Sequence, residues 1–172
     1  CVIRLTDVDG NAAQSQSSTG FTINAMLGDT GETLTARYDS CVAWGDYDAD
    51  GDLDIAVSGC TSGTYYTHVY QNTAGNFNVL ATAFPGAEQC AWGDYDSDGD
   101  LDLAIGGDTN DLWVYRHDGG GTFTESVALT SVPADSSFAW CDHDNDGDLD
   151  LIVVGNGVIQ VYRNDGADTF SK

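Results

Sequence analysis

The stretch WGDYDADGDLD, Trp44 to Asp54, sets five aspartates on alternate positions directly ahead of an apolar run. It returns as WGDYDSDGDLD at Trp92 to Asp102 and as WCDHDNDGDLD at Trp140 to Asp150. Asp46, Asp94 and Asp142 open the three copies at a constant step of 48 residues. A fixed period of this length marks a repeat architecture, in which each unit is one supersecondary element that buries its core against its neighbours.

The likeness extends on both sides of the aspartates. After them come LDIAVSG (from Leu53), LDLAIGG (from Leu101) and LDLIVVG (from Leu149), with apolar residues on every second position, the period of a strand. HVYQN (His68 to Asn72), WVYRH (Trp113 to His117) and QVYRN (Gln160 to Asn164) read as the next strand. A Gly-bearing turn leads from each to Phe77, Phe123 or Phe170, where another short strand starts. CVAW, CAW and FAW before each motif supply a further strand. Each unit is therefore four short strands with Gly/Asn/Asp turns and no helix signal. The units are expected at 1–38, 39–86, 87–134 and 135–172, the last truncated in its final strand. The first is degenerate: Asp7, Asp9 and Gly10 match the third, fifth and sixth motif positions, but Leu5 and Ala13 replace two aspartates. No metal is expected there.

Composition sets the outer limits. A hydrophobic fraction of 41% fits a folded domain despite a formal charge of −23, and fifteen of the 28 acidic residues lie in the three motifs. With five Lys and Arg, the chain is expected to avoid nucleic acid and anionic membrane faces and to collect cations. No apolar run approaches a membrane span. Five cysteines (Cys1, Cys41, Cys60, Cys90, Cys141) without a CxxC pair, together with few lysines, fit a secreted protein with disulfides. Counting outward from the first aspartate loop sets Cys41 and Cys60 on neighbouring strands, and a disulfide between them is expected.

Carboxylates on alternate residues repel one another unless a cation sits among them. Calcium takes six to eight oxygens in a flexible shell, which a loop delivers from alternate residues. In the first motif Asp46, Asp48 and Asp50 offer side-chain oxygens, and Gly51 allows the sharp turn. Asp52 is expected to offer its backbone carbonyl, and Asp54 to close the shell as a bidentate ligand. Two features count against an EF-hand: its loop needs Glu at position twelve, where Val57, Ile105 and Val153 stand, and its flanks are helices, whereas these flanks alternate like strands. Trp44, Trp92 and Trp140 recur in every unit and are read as core. His143 shares a motif position with Tyr47 and Tyr95 and is read as their structural equivalent.

DxDxDGxxD between two strands, repeated, resembles the FG-GAP/VCBS repeat family, which includes the β-propeller blades of integrin α subunits. The resemblance implies an all-β, β-propeller-like array of about four four-stranded blades, three of them with a calcium loop between the first and second strands. Carried over by position, it implies three Ca2+ sites: Asp46, Asp48, Asp50, Asp52 and Asp54; then Asp94, Asp96, Asp98, Asp100 and Asp102; then Asp142, Asp144, Asp146, Asp148 and Asp150. The function expected is a calcium-stabilised scaffold or adhesion module, secreted or at the cell surface, which assembles with other subunits, with itself, or with the rest of a larger propeller. A lectin-like propeller that binds glycans is the alternative, as is a non-catalytic part of a polysaccharide-acting enzyme. Catalysis by this chain is not expected. It carries no GxSxG, no HExxH and no basic cluster to neutralise an acidic polysaccharide.

Overall fold

A computed structural model describes residues 37–107 and 109–172. The degenerate first unit, its missing metal site and Cys1 lie outside the described residues. The described chain is all-β, in three four-stranded antiparallel sheets. The first holds β1 (Tyr38–Gly45), β2 (Asp54–Thr61), β3 (Thr64–Thr73) and β4 (Asn76–Val79). The second holds β5 (Gln89–Gly93), β6 (Asp102–Gly106), β7 (Asp111–His117) and β8 (Phe123–Thr130). The third holds β9 (Ser137–Cys141), β10 (Asp150–Gly155), β11 (Val158–Asn164) and β12 (Phe170–Ser171). Strands pair strictly in chain order, and each aspartate motif joins the first strand of a sheet to the second. Among the described residues no helix is long and apolar enough to cross a membrane.

The first strands of successive sheets, β1, β5 and β9, lie side by side, so the sheets stack face to face along the chain. The core lies between sheets. Tyr47, Val69, Leu103, Ile105 and Phe123 fill the first seam, and Tyr95, Val114, Leu129, Leu151 and Tyr162 the second. This explains one departure from the alternating pattern. β6 is buried along its whole length, because neighbouring sheets cover both its faces, and β2 is buried along nearly its whole length as well.

Each seam is closed by a tryptophan. Trp92 Nε1 donates to the Ala43 carbonyl at 3.2 Å, and Trp140 Nε1 to the Ala91 carbonyl at 3.3 Å. Gly45 and Gly93 leave room for these rings. A Cβ on Gly45 would lie 2.9 Å from Trp92, and one on Gly93 would lie 2.6 Å from Trp140. The tryptophans are thus seam residues, half-buried, while Trp44 is 43% exposed.

The expected Cys41–Cys60 disulfide is corrected. The register runs unbroken from Gly45–Asp54 to Cys41–Ser58, which leaves Cys41 two residues short of Cys60; Tyr38 lies opposite Cys60. Diagonal neighbours on adjacent strands sit about 7–8 Å apart, too far for a bridge whose Cβ atoms need about 3.5–4.5 Å. Cys41, Cys60, Cys90 and Cys141 are all free thiols.

Candidate metal centres

The three aspartate loops share one backbone path. Gly51, Gly99 and Gly147, at the sixth position, have φ of +95°, +99° and +101°. Position four is left-handed as well: Ala49, Ser97 and Asn145 have φ of +56°, +59° and +62°. This conformation suits Asn and strains Ala and Ser. The two left-handed residues coil the loop so that alternate side chains converge.

The coil is tied by the first carboxylate. Asp94 accepts the N–H groups of Asp98 (3.0 Å) and Gly99 (3.1 Å), and Asp142 those of Asp146 and Gly147 (both 3.2 Å). Asp46 accepts the Gly51 N–H at 3.1 Å through Oδ2 only; its Oδ1 is shielded from solvent and has no partner. The fifth carboxylates, Asp50, Asp98 and Asp146, accept the N–H of position seven at 2.8–3.0 Å.

Carboxylate oxygens of Asp46, Asp48 and Asp50 gather within 4.8 Å of one another, and so do those of Asp142, Asp144 and Asp146. In the second loop the gathered set is Asp94, Asp96 and Asp102; in the third, His143, Asp144 and Asp150 form a further one. Asp52, Asp100 and Asp148 enter no such set. Asp52 instead accepts the Ala74 N–H at 2.9 Å through Oδ2.

The ninth aspartates have a role the sequence did not disclose. Asp54, Asp102 and Asp150 are fully buried. Each accepts one N–H from motif position two, namely Tyr47, Tyr95 or His143, at 2.9–3.0 Å. Each accepts a second N–H from the third strand, namely Asn72, His117 or Asn164, at 2.7–2.8 Å. One carboxylate thus staples the loop to the next hairpin, and only a two-oxygen acceptor at the mouth of β2, β6 and β10 can do so.

Burial pushes the Asp102 carboxyl up to about 7, against the backbone N–H bonds that favour its charge. Asp54 is raised for the same first reason. Asp150 goes the other way. Burial raises it, but the His143 ring, 2.5 Å away, and the two N–H bonds together bring it below the usual carboxylate value. His143 is raised in turn, chiefly by its bond to Asp150.

The second motif position couples loop to seam. Tyr47 stacks on Trp92 (5.9 Å, 7° between planes) and also meets His117 and Phe123 from the second sheet. Tyr95 stacks on Trp140 (6.1 Å, 13°) and meets Phe170. Both tyrosines are 1% exposed, and burial pushes the Tyr47 hydroxyl up to about 12. His143 takes the same backbone bond as the tyrosines, as its shared position suggests, but its ring is exposed and turned to Asp150. His117 is buried and stacked on Phe123, and His68 bonds to Arg37, so the three histidines share no site.

No curated protein matches this chain by sequence. Among solved structures it is similar to an Agrocybe aegerita lectin described for specific recognition of non-reducing terminal N-acetylglucosamine. The identity is 21% and the TM-score 0.49, over 77% of this chain and 37% of that one, so the chain spans little more than a third of that protein's length. A family model for the FG-GAP-like repeat matches twice, over residues 46–105 and 94–153. Each match starts at the first aspartate of one motif and ends in the strand directly after the next motif, and the two starts lie one 48-residue unit apart. The chain belongs to the FG-GAP-like repeat family.

Proposed function

We propose that this chain is a calcium-stabilised extracellular scaffold, a run of β-propeller blades that acts by protein–protein assembly and catalyses no reaction. The observation that carries the reading is the shielded, unpartnered Oδ1 of Asp46, in a loop where three carboxylates converge within 4.8 Å. A buried carboxylate oxygen without a donor is costly unless a cation takes it. The donors are hard oxygens on a coiled loop, which suit calcium rather than zinc or copper.

The side chains of Asp46, Asp48 and Asp50 would hold the first ion, with the Asp52 carbonyl. Asp94, Asp96, Asp98 and Asp102 would hold the second, with the Asp100 carbonyl. Asp142, Asp144 and Asp146 would hold the third, with the Asp148 carbonyl, and Asp54 and Asp150, like Asp102, would close their shells while stapling their loops to the next hairpin. Bound calcium supplies the positive charge that offsets the mutual repulsion of these carboxylates. Because Tyr47 and Tyr95 lie between ligand residues and pack into the seams, a loop held in shape also holds two sheets together. Sites of this class in extracellular modules bind at about 0.1–1 mM, a range filled outside the cell. The partners would be other subunits, further copies, or the remaining blades of a larger propeller.

Native mass spectrometry in millimolar calcium should find three ions, and sedimentation should show a calcium-dependent change in shape or assembly. Absence of bound calcium would overturn the metal reading. Glycan-array binding that persists in chelator, with no assembly, would replace the scaffold reading by the lectin alternative.

A further inference from the structure

Cys41 on β1 and Cys90 on β5 meet across the first seam. Cys41 Sγ donates to the Cys90 carbonyl at 3.3 Å, and Cys90 Sγ donates to the Ala56 carbonyl at 3.6 Å, beneath the same seam. Cys90 is 5% exposed, and Cys41 is half-buried and packs against the cluster that contains Cys90. The two residues do not hold equivalent repeat positions: Cys41 precedes its tryptophan by three residues and Cys90 by two. Their meeting therefore does not follow from repeat symmetry, and the third sheet has no such pair among the described residues.

We propose that Cys41 and Cys90 are a redox pair that closes into a disulfide joining the first two sheets. The proposal is independent of the metal. Each thiol is the main influence on the other: Cys90 lowers the Cys41 thiol, while Cys41 and burial raise Cys90. Cys41 is thus both the more reachable sulfur and the one more readily present as thiolate. A small disulfide such as oxidised glutathione is the oxidant. The Cys41 thiolate attacks one of its sulfurs, forms a mixed disulfide and releases one glutathione thiolate. Cys90, on giving up its proton, attacks the Cys41 sulfur and releases the second. Two protein thiols lose two electrons, one glutathione disulfide gains them, and the two departing thiolates take up the two protons. The new bond runs beside the Trp92–Ala43 contact and clamps the seam.

The test is non-reducing peptide mapping of the full chain after equilibration with oxidised glutathione, alongside Cys41→Ala, Cys90→Ser, Cys60→Ser and Cys141→Ser. A single crosslinked peptide pair containing residues 41 and 90 is expected in the wild type, Cys60→Ser and Cys141→Ser proteins, with a higher urea midpoint after oxidation. Cys41→Ala should lose both the crosslink and the midpoint shift. Cys41 is half-buried, so this variant remains informative even if Cys90→Ser fails to fold. A lasting glutathione adduct on Cys41, or a crosslink that runs to Cys1, Cys60 or Cys141, would overturn the pairing.

Discussion

The Asp102 staple predicts a definite loss of stability with rising pH when calcium is absent. Its carboxyl is raised from 3.8 to about 7 in the folded chain, first by burial. A carboxyl raised on folding stabilises the fold fully below its unfolded value, and that stability is lost as pH rises through the folded value. With the two values above, linkage gives a contribution of about 2.7 kcal/mol at pH 5 and about 0.1 kcal/mol at pH 8. The perturbation is Asp102→Asn, which cannot titrate. The variant is less stable throughout, because its NH2 faces one of the two N–H groups of Tyr95 and His117 that the carboxylate accepts. The informative quantity is the slope. Urea unfolding followed by tryptophan fluorescence, in chelator at pH 5 and pH 8, should show the wild type losing about 2.6 kcal/mol more than the variant. Asp54, also raised, contributes to both proteins alike and cancels. Saturating calcium should flatten the wild-type slope. Equal losses in the two proteins would refute the view that Asp102 is charged at a cost inside the fold.

Further consequences can be checked separately. Asp50→Ala should lower the bound-ion count by one in native mass spectrometry, and in 1 mM calcium it should remove about 1.4 kcal/mol of ligand-linked stability, for a site of about 0.1 mM. In chelator that component of its effect should vanish. Gly93→Ala drives a methyl to 2.6 Å from Trp140, and overpacking of this kind costs about 1–3 kcal/mol, read as a lower urea midpoint with unchanged metal count. By NMR, His143 should titrate above 6.5, held up by Asp150, and His68 below it, because burial and the Arg37 charge disfavour its protonation. Stability from the His143–Asp150 pair should accordingly be lost as pH rises past 6.5, and His143→Tyr should remove that loss.

Much of the architecture is legible in the sequence. The 48-residue step, the two-residue apolar period and the Gly-bearing turns place all four strands of each sheet and the loop between the first two. What escapes is what depends on register and on neighbours. The Cys41–Cys60 expectation fails by two residues, because the register set at the Gly45–Asp54 end carries Cys41 opposite Ser58. The ninth aspartate reads as one more carboxylate in a row of five, although it alone is fully buried. Its only sequence signal is that it already belongs to the strand's alternation. The seam tryptophans look like ordinary core residues until the preceding glycines show where each ring must lie. The signal was present in the repeated Trp-Gly pair, and in its replacement by Trp-Cys in the third motif.

That replacement bears on how such an array can grow. Cys141 stands where Gly45 and Gly93 admit a tryptophan, so the exit face of the third sheet is not cut for another repeat of the same kind. A duplicated unit 87–134 spliced between the second and third sheets would find a glycine ahead of its tryptophan and offer a glycine behind. The same unit appended after the third sheet would drive its indole into the Cys141 side chain. Lengthening by internal duplication is therefore compatible with the joint, while extension at that face first needs Cys141→Gly. Anyone building longer arrays from these blades has both an insertion point and a stop, written in a single residue.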